Sequence, residues 1–451
     1  MKIFILFLLI IATLFFQPTH AQDTSNIATK EDIAEIKGAF DGMNETVTEM
    51  KNTLDILKKI KISGYIQAQY QIADTEALSS TALNTYPIGN FAGGSFPTYV
   101  NSRFQLRRGR LKINYDNDVT QYVLQLDLTQ NGVGIKDAYI SVKEEWYRTA
   151  TLTAGIFDRP FGYEISHSSN MRESPERSRM FQTLFPGERE LGAKIELVSE
   201  NERYNWLNLK AGFFNGVLNN ANENDSRKDF IGRIGFLFPF YEENFEIDCG
   251  VSLYAGNVRS NSTEVYSTIN DATKKFTRDS LSSNIGKYFK RNHLGADIQM
   301  YYDIPSLGGF SLRGEFITGT QPGTASSNSF YNPGSVVSPL YERKFYGWYI
   351  NFVQNFGLSN QLLLKYDVFD PNSKISDEHI GATGSNLKAG DIKYSTFGLG
   401  WIYHWDANVK FIFFKDFVTN EKVNNTATGS LIPFKKDVKD NVLSLRMQYK
   451  F

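Results

Sequence analysis

In the C-terminal stretch NVLSLRMQYKF, residues 441–451, apolar and polar side chains alternate from Leu443 to Phe451. Its apolar set is Leu443, Leu445, Met447, Tyr449 and Phe451, and its polar set is Ser444, Arg446, Gln448 and Lys450. Successive side chains of a β-strand point to opposite sides, so this period of two predicts a strand with one apolar and one polar face. The segments FEIDCGVSLYAG (245–256), QLLLKYDVF (361–369) and TFGLGWIYH (396–404) repeat the pattern.

About sixteen segments of this kind follow residue 61. They are predicted at 62–72, 102–116, 119–129, 135–143, 149–157, 190–199, 205–214, 229–238, 245–257, 292–303, 309–319, 345–356, 360–369, 393–404, 408–419 and 439–451. Short turns alternate with long polar connections, and this alternation is typical of an outer-membrane β-barrel. A soluble β-sandwich is the alternative, but its connections would not alternate in this way. We therefore predict an all-β chain with a transmembrane, antiparallel barrel domain over 62–451 that turns its apolar faces to the outer-membrane lipid.

The N-terminal end carries a long apolar run, IFILFLLIIATLFF at 3–16, after Lys2. Its length, and the small residue Ala21 before Gln22, predict a signal peptide over 1–21; an uncleaved anchoring helix is the alternative. Export agrees with a location in the cell outer membrane. Because the chain has one cysteine, Cys249, no disulfide framework stabilises the exported protein.

Residues 30–60 follow a different period. Apolar side chains alternate at spacings of three and four, at Ile33, Ile36, Phe40, Met43, Val47, Met50, Leu54 and Leu57. This is the heptad rule of a coiled coil, and an amphipathic helix lying on its own domain is the alternative. The narrow apolar seam favours the coiled coil. We predict a periplasmic coiled-coil helix over 22–61, which also offers a contact with the cell wall through residues 30–60.

Composition and motifs exclude several functions. A formal net charge of -1 argues against nucleic acid as a partner. The sequence has no H-E-x-x-H, C-x-x-C, G-x-S-x-G or phosphate-loop motif, so we predict no enzyme, no metal and no cofactor. His167, beside Ser166 and Ser168, is the one suggestive cluster, and a loop histidine without a catalytic role is the simpler interpretation.

The stretch FQLRRGRLKINYD, residues 104–116, places Arg108, Arg110 and Lys112 on one face of a predicted strand. A basic side chain that faces lipid at the membrane midplane costs about 2–4 kcal/mol in a barrel, so we expect these three in the lumen. Arg107 has the opposite parity and is expected on the outer face. The same parity places Arg233 and Arg313 in the lumen. Cross-strand ion pairs within the wall and anion binding both remain open as roles for these cations.

The sequence resembles the phosphate-selective porins of the O/P type from Gram-negative outer membranes. The likeness is carried by FQLRRGRLKI (104–113), IKDAYISV (135–142), GIFDRPFGYEIS (155–166) and PGERELG (186–192). The resemblance implies a sixteen-stranded homotrimeric barrel whose third loop folds inward and carries a ladder of basic residues. Under that implication the candidate pore-lining and anion-binding set gains Arg159, Arg172, Arg177 and Arg179 of the segment 158–189. The same segment also contains acidic residues, and this acidic content differs from that expected of a pore dedicated to phosphate.

The function predicted from these patterns is an outer-membrane porin for passive diffusion of small hydrophilic solutes or inorganic anions, with an anion preference of the phosphate type. Binding in such a pore must be weak or multi-site, since solute has to leave. The alternative is a structural barrel that anchors the envelope through its coiled coil.

Overall fold

A computed structural model describes residues 29–74, 89–97, 100–201, 203–218, 221–240, 242, 244–331, 337–438 and 440–451. The α-helices among these residues are α1 Lys30–Lys58 and α2 Arg179–Leu184. Its strands are β1 Ile60–Ala73, β2 Ser102–Asn117, β3 Thr120–Thr129, β4 Gly132–Lys143, β5 Ala150–Asp158, β6 Arg189–Val198, β7 Leu207–Phe214, β8 Asp229–Phe240, β9 Phe245–Arg259, β10 Val265–Asn270, β11 Lys275–Asp279, β12 Tyr288–Ile304, β13 Gly308–Gly323, β14 Leu340–Phe356, β15 Asn360–Asp370, β16 Tyr394–His404, β17 Val409–Asn420 and β18 Val442–Lys450. The predicted signal peptide, 1–21, lies outside the described residues.

Sixteen of these strands form a closed antiparallel barrel, which confirms the predicted architecture. Each barrel strand pairs with its neighbour in sequence, and β1 pairs with both β2 and β18 to close the wall. Strands β10 and β11 form a hairpin in the connection between β9 and β12, which pair directly with each other. The sequence patterns did not predict this hairpin. Closure gives every wall strand a hydrogen-bonded neighbour on both sides.

The barrel turns its apolar side chains outward. In β18, Met447 is 49% exposed whereas the neighbouring Arg446 is 2% exposed. Leu294 and Ile298 of β12 are exposed in the same way, and Asp297 between them is buried. A soluble protein buries its apolar side chains, so this arrangement identifies the outer wall as a surface that contacts lipid.

Two β-bulges change the parity of the wall. In β2, Gln67 is paired with Arg108 and Ala68 with Leu106, so that Arg107 is an extra residue. Arg107 therefore points into the lumen, and its expected place on the outer face was wrong. In β4, the same irregularity makes Lys136 an extra residue beside the inward-facing Asp137. A bulge adds one residue to one strand and so lets two neighbouring side chains share a face.

The connection between β5 and β6, residues 159–188, lies inside the barrel, and we call it the inward loop. Its backbone N–H groups at Gly162 and Tyr163 donate hydrogen bonds to Ser252 of β9 and Glu315 of β13, each at 2.9 Å. The loop also contains α2. Apolar side chains of the loop pack against side chains of the wall in one core; the buried members are Phe157, Phe161, Ile165, Met180, Phe181, Leu184, Phe185, Phe214, Ile231, Tyr254, Ile317, Phe345, Tyr349 and Phe369. This core fixes the loop against the wall.

The helix α1 is a separate compact unit from the barrel, which begins at Ile60 instead of the predicted residue 62. Thr29 and Asp32 cap its first turn reciprocally, with N–H to side-chain distances of 2.9 and 3.2 Å. All eight residues of the predicted heptad seam are exposed. The helix is thus confirmed, whereas the coiled coil stays a prediction. No helix within the described ranges has the length and apolar content to cross a bilayer.

Candidate functional site

Glu176 of the inward loop is the centre of a cluster of three arginines. Its carboxylate accepts hydrogen bonds from Arg107 (2.8 Å), Arg108 (2.7 Å) and Arg446 (2.8 Å). Burial alone would raise the pKa of the Glu176 carboxyl, but the three guanidinium groups hold it well below its usual range. One carboxylate balances one of the three positive charges, so an excess of about two positive charges remains where the inward loop meets the wall.

A second contact between the loop and the wall joins Glu173 to Arg313 of β13. Arg313 donates two hydrogen bonds to the carboxylate, at 2.9 and 2.7 Å. His167 lies beside this pair, 3.9 Å from Glu173 and 2.6 Å from the Tyr163 hydroxyl. Burial lowers the pKa of His167 to about 4, so its ring is uncharged at neutral pH. The Ser166 hydroxyl donates to the Tyr163 carbonyl (2.9 Å), which leaves His167 and Ser166 without the contact that a catalytic pair needs.

Arg177 and Arg159 fix the path of the inward loop. Arg177 forms an ion pair with Glu188 and donates to the carbonyl oxygens of Ile165 and His167, each at 3.1 Å. Arg159 lies 3.5 Å from the Glu190 carboxylate and donates to the carbonyls of two loop residues, Pro186 and Glu188. Both side chains are almost fully buried. Their contacts hold the loop together, and an anion-binding role for either stays a prediction.

Two further candidates pair with carboxylates across the wall. Arg110 is 3.2 Å from Asp127 of β3, and Arg233 of β8 binds Asp297 of β12 at 2.6 and 3.0 Å. Six of the nine candidate cations are therefore in ion pairs; they are Arg108, Arg110, Arg159, Arg177, Arg233 and Arg313. Such pairs stiffen the wall and the loop, and they compensate most of the positive charge that the sequence places in the lumen.

The other three candidates, Lys112, Arg172 and Arg179, have no carboxylate within 4 Å among the described residues. Arg172 donates to backbone carbonyls of its own loop, and burial lowers its pKa to about 9. Arg179, the first residue of α2, lies between the rings of Phe91 (4.1 Å) and Tyr394 (4.0 Å). It lines a cavity of about 490 Å³ on the inner side of β15 to β17. These three cations bring uncompensated positive charge to the lumen.

Sequence reasoning missed several residues of this site. Under strict alternation, Arg107 and Lys136 would face the lipid. The sequence signal for their inward direction is a pair of adjacent charged residues inside an otherwise alternating strand, Arg107–Arg108 in β2 and Lys136–Asp137 in β4. Glu173 and Glu176 were noted only as acidic loop residues, because no linear pattern shows which arginines surround them. Across the described ranges, no group of three or more His, Cys, Asp or Glu side chains is placed to hold a metal ion.

The barrel resembles solved porins in fold. The anion-selective porin from Comamonas acidovorans is 10% identical with a TM-score of 0.51, and the alignment covers 87% of this chain and 99% of that one. OprB of Pseudomonas putida is 8% identical with a TM-score of 0.54, over 88% and 96% of the two chains. The outer-membrane channel DcaP of Acinetobacter baumannii is 11% identical with a TM-score of 0.51, over 87% and 97%. At these identities the likeness concerns the fold alone.

No curated protein sequence matches the chain. Residues 86–451, in contrast, match the model of the family described as phosphate-selective porin O and P. This match covers the barrel almost completely, including the inward loop and its charge clusters. The chain therefore belongs to the phosphate-selective porin O and P family of outer-membrane channel proteins.

Proposed function

We propose that the barrel is a passive diffusion channel for small hydrophilic solutes and that it prefers anions mildly. The observation that carries this proposal is the cluster at Glu176, where three arginines face one carboxylate. An excess of positive charge where the inward loop contacts the wall raises the local concentration of anions. Lys112, Arg172 and Arg179 add to the same field.

The preference is mild because most lumenal arginines are already bound to carboxylates. A phosphate ion would have to compete with Glu173 for Arg313 or with Asp297 for Arg233, and each of these contacts has two hydrogen bonds. Separating one partner from a buried pair costs about 3–5 kcal/mol. The proposed channel therefore attracts anions through its overall field and binds them weakly, which agrees with rapid passage.

The test is the reversal potential of the refolded protein in a planar bilayer with a potassium chloride gradient, with phosphate added as a competitor of the chloride current. We expect chloride to permeate faster than potassium. Lys112→Gln removes an uncompensated lumenal cation and should reduce the permeability ratio by about twofold, the effect of one partly screened charge. Lys37→Gln, in α1, is the matched control. A cation preference, or equal ratios for the two variants, contradicts the proposal.

We further propose that the chain is a homotrimer whose α1 helices form the coiled coil. The support is the exposed seam of α1, since eight regularly spaced and exposed apolar side chains on one helix favour association with copies of the same helix. Val47→Asp, on the seam, should reduce the trimer fraction measured by light scattering in detergent, whereas Thr48→Asp, off the seam, should not. Equal trimer fractions would reject the coiled coil.

The same exposed helix favours a second candidate function, a structural anchor of the envelope. Deletion of residues 30–58 separates the two functions. If the channel is primary, the deletion reduces trimer content and leaves the detergent resistance of the cells unchanged. Loss of envelope integrity at unchanged single-channel conductance would favour the anchor.

A further inference from the structure

The cavity beside Arg179 differs from the rest of the lumen in its charge balance. It lies between α2 of the inward loop and the inner face of β15 to β17, and its volume of about 490 Å³ is in the range of small-molecule sites. Its lining includes Arg179, Lys365, Asp367 and Asp416. Lys365 is 3.7 Å from Asp367, so these two side chains compensate each other. Glu176 and Arg177 also line the cavity and are paired with Arg108 and Glu188, and Asp440 is a further acidic lining residue. Among the described residues, Arg179 and Asp416 have no oppositely charged side chain within 4 Å, so they are the cation and the anion that we consider for a ligand.

Arg179 is held in a fixed position by aromatic rings, and its guanidinium group has no carboxylate within 4 Å among the described residues. The central carbon of its guanidinium group lies 4.1 Å from the centre of the Phe91 ring and 4.0 Å from the centre of the Tyr394 ring. Ser178, the preceding residue, donates from its N–H (3.0 Å) and its hydroxyl (2.7 Å) to Glu164, which fixes the start of α2. Arg179 is buried, with an exposed fraction of only 7%. A buried cation in a fixed orientation is a preorganised binding group.

Three buried polar atoms of the cavity have no hydrogen-bond partner within the described part of the chain. They are Arg179 Nε, Thr183 Oγ1 and Asp367 Oδ1, and each belongs to a side chain that is more than nine-tenths buried. Buried polar atoms are normally hydrogen-bonded, and an unpaired one destabilises the protein. Donor and acceptor atoms without partners around one cavity indicate that a polar ligand completes them.

We propose that this cavity binds a zwitterion of the size of an amino acid or a dipeptide. The carboxylate of the ligand would pair with Arg179 and its ammonium group with Asp416. An aliphatic ligand side chain would contact the apolar part of the lining, which includes Phe369 and Phe414. Inorganic phosphate fits less well, because Asp416 repels a second negative charge. This inference rests on the proposed channel function and names the class of solute that the channel selects.

Calorimetry on the refolded protein in detergent tests the site independently of conduction. The probes are L-leucine, 4-methylpentanoate, which lacks the ammonium group, and isoamylamine, which lacks the carboxylate; inorganic phosphate and glucose complete the series. We expect leucine to bind at least about tenfold more tightly than any other probe, since each charged contact contributes about that factor. Tighter binding of phosphate, equal binding of glucose, or no binding of leucine would each overturn the proposal.

Two substitutions test which residue binds the carboxylate of the ligand and which binds its ammonium group. Arg179→Gln should weaken leucine binding by about tenfold or more and leave the weak binding of isoamylamine unchanged. Asp416→Asn should weaken leucine binding similarly and leave 4-methylpentanoate unchanged. Arg148→Gln, at a distant exposed ion pair, is the control and should bind leucine like the unmodified protein. If a variant fails to refold, the probe series on the unmodified protein still decides the question.

A bilayer recording in potassium chloride separates the two proposals. Leucine binding without conductance would uphold the site and reject the channel. Conductance without leucine binding would uphold the channel and reject the zwitterion site.

Discussion

At the scale of single residues, the lumen is organised by carboxylates of the inward loop. Glu173 and Glu176 each bind arginines that belong to the wall, so one loop of the chain is held by strands distant in sequence. Burial makes these contacts mutually dependent, because a buried charge that loses its partner is strongly destabilising. The same residues therefore set both the position of the loop and the field that solutes meet.

Glu176→Gln should change stability and selectivity together. The substitution leaves three arginines without the carboxylate they share, and we expect a loss of about 3–5 kcal/mol in the free energy of unfolding. The added positive charge should also increase the chloride preference in the reversal-potential measurement.

The control for this variant is Glu200→Gln, whose exposed pair with Lys143 contributes at most about 1 kcal/mol. Chemical unfolding of both variants in detergent, followed by circular dichroism, gives the comparison. Equal losses would show that the Glu176 cluster does not stabilise the loop.

At the scale of elements, the inward loop depends on a glycine at its first turn. Gly162 has a φ of 63°, in the left-handed region, and a Cβ atom at this position would overlap the Glu315 carboxylate. That carboxylate accepts hydrogen bonds from the backbone at Tyr163 (2.9 Å) and Glu164 (2.6 Å). The turn therefore brings the loop backbone within reach of β13 only when residue 162 has no side chain.

Gly162→Ala should displace the start of the inward loop. We expect a loss of about 1–3 kcal/mol from overpacking, added to the cost of a positive φ, and a change in single-channel conductance. Gly286→Ala is the matched control, since Gly286 has a φ of 84° and open space around its Cα atom. If the two variants are equally stable and conduct equally, contact with Glu315 does not position the loop.

At the scale of the whole molecule, low pH should destabilise the protein through the charged groups inside the barrel. Burial raises the pKa values of Glu173, Glu176 and Glu188, but their basic partners outweigh burial and hold all three below the ordinary value of 4.5. Their contribution to stability is complete above that value and is lost as the pH falls through the lowered pKa values. The neutral His167 adds to the effect, because the unfolded chain takes up its proton near pH 6.5 and the folded chain only near pH 4.

The midpoint of thermal unfolding should therefore fall as the pH is lowered from 7 to about 3. His167→Asn should flatten the upper part of this decline, between about pH 6.5 and 4, and leave the part below pH 4 unchanged. Circular dichroism melts at fixed ionic strength provide the measurement. A midpoint independent of pH over this range would contradict the assignment of these charges.

The sequence predicted the whole-molecule architecture better than the site. Strict alternation in segments such as 441–451 was sufficient for the number of wall strands and for the direction of their apolar faces. It failed at Arg107, because a bulge shifts parity by one residue and its sequence signal is only the adjacent charged pair Arg107–Arg108. It also placed the start of β14 at residue 345 instead of Leu340. The ion pairs and the cavity depend on which side chains meet across the closed barrel, and strand patterns do not contain that information.

The pairing of β1 with β18 has a consequence for how the protein is made. These two strands are the most distant members of the wall along the chain, yet their registers match residue by residue from Tyr65–Lys450 to Ala73–Val442. Before β18 pairs with β1, the sheet has two edge strands whose backbone N–H and C=O groups are unpaired. The wall of the barrel is therefore complete only when the first and the last strand of the chain have paired, so a chain that lacks either strand should not form the closed barrel.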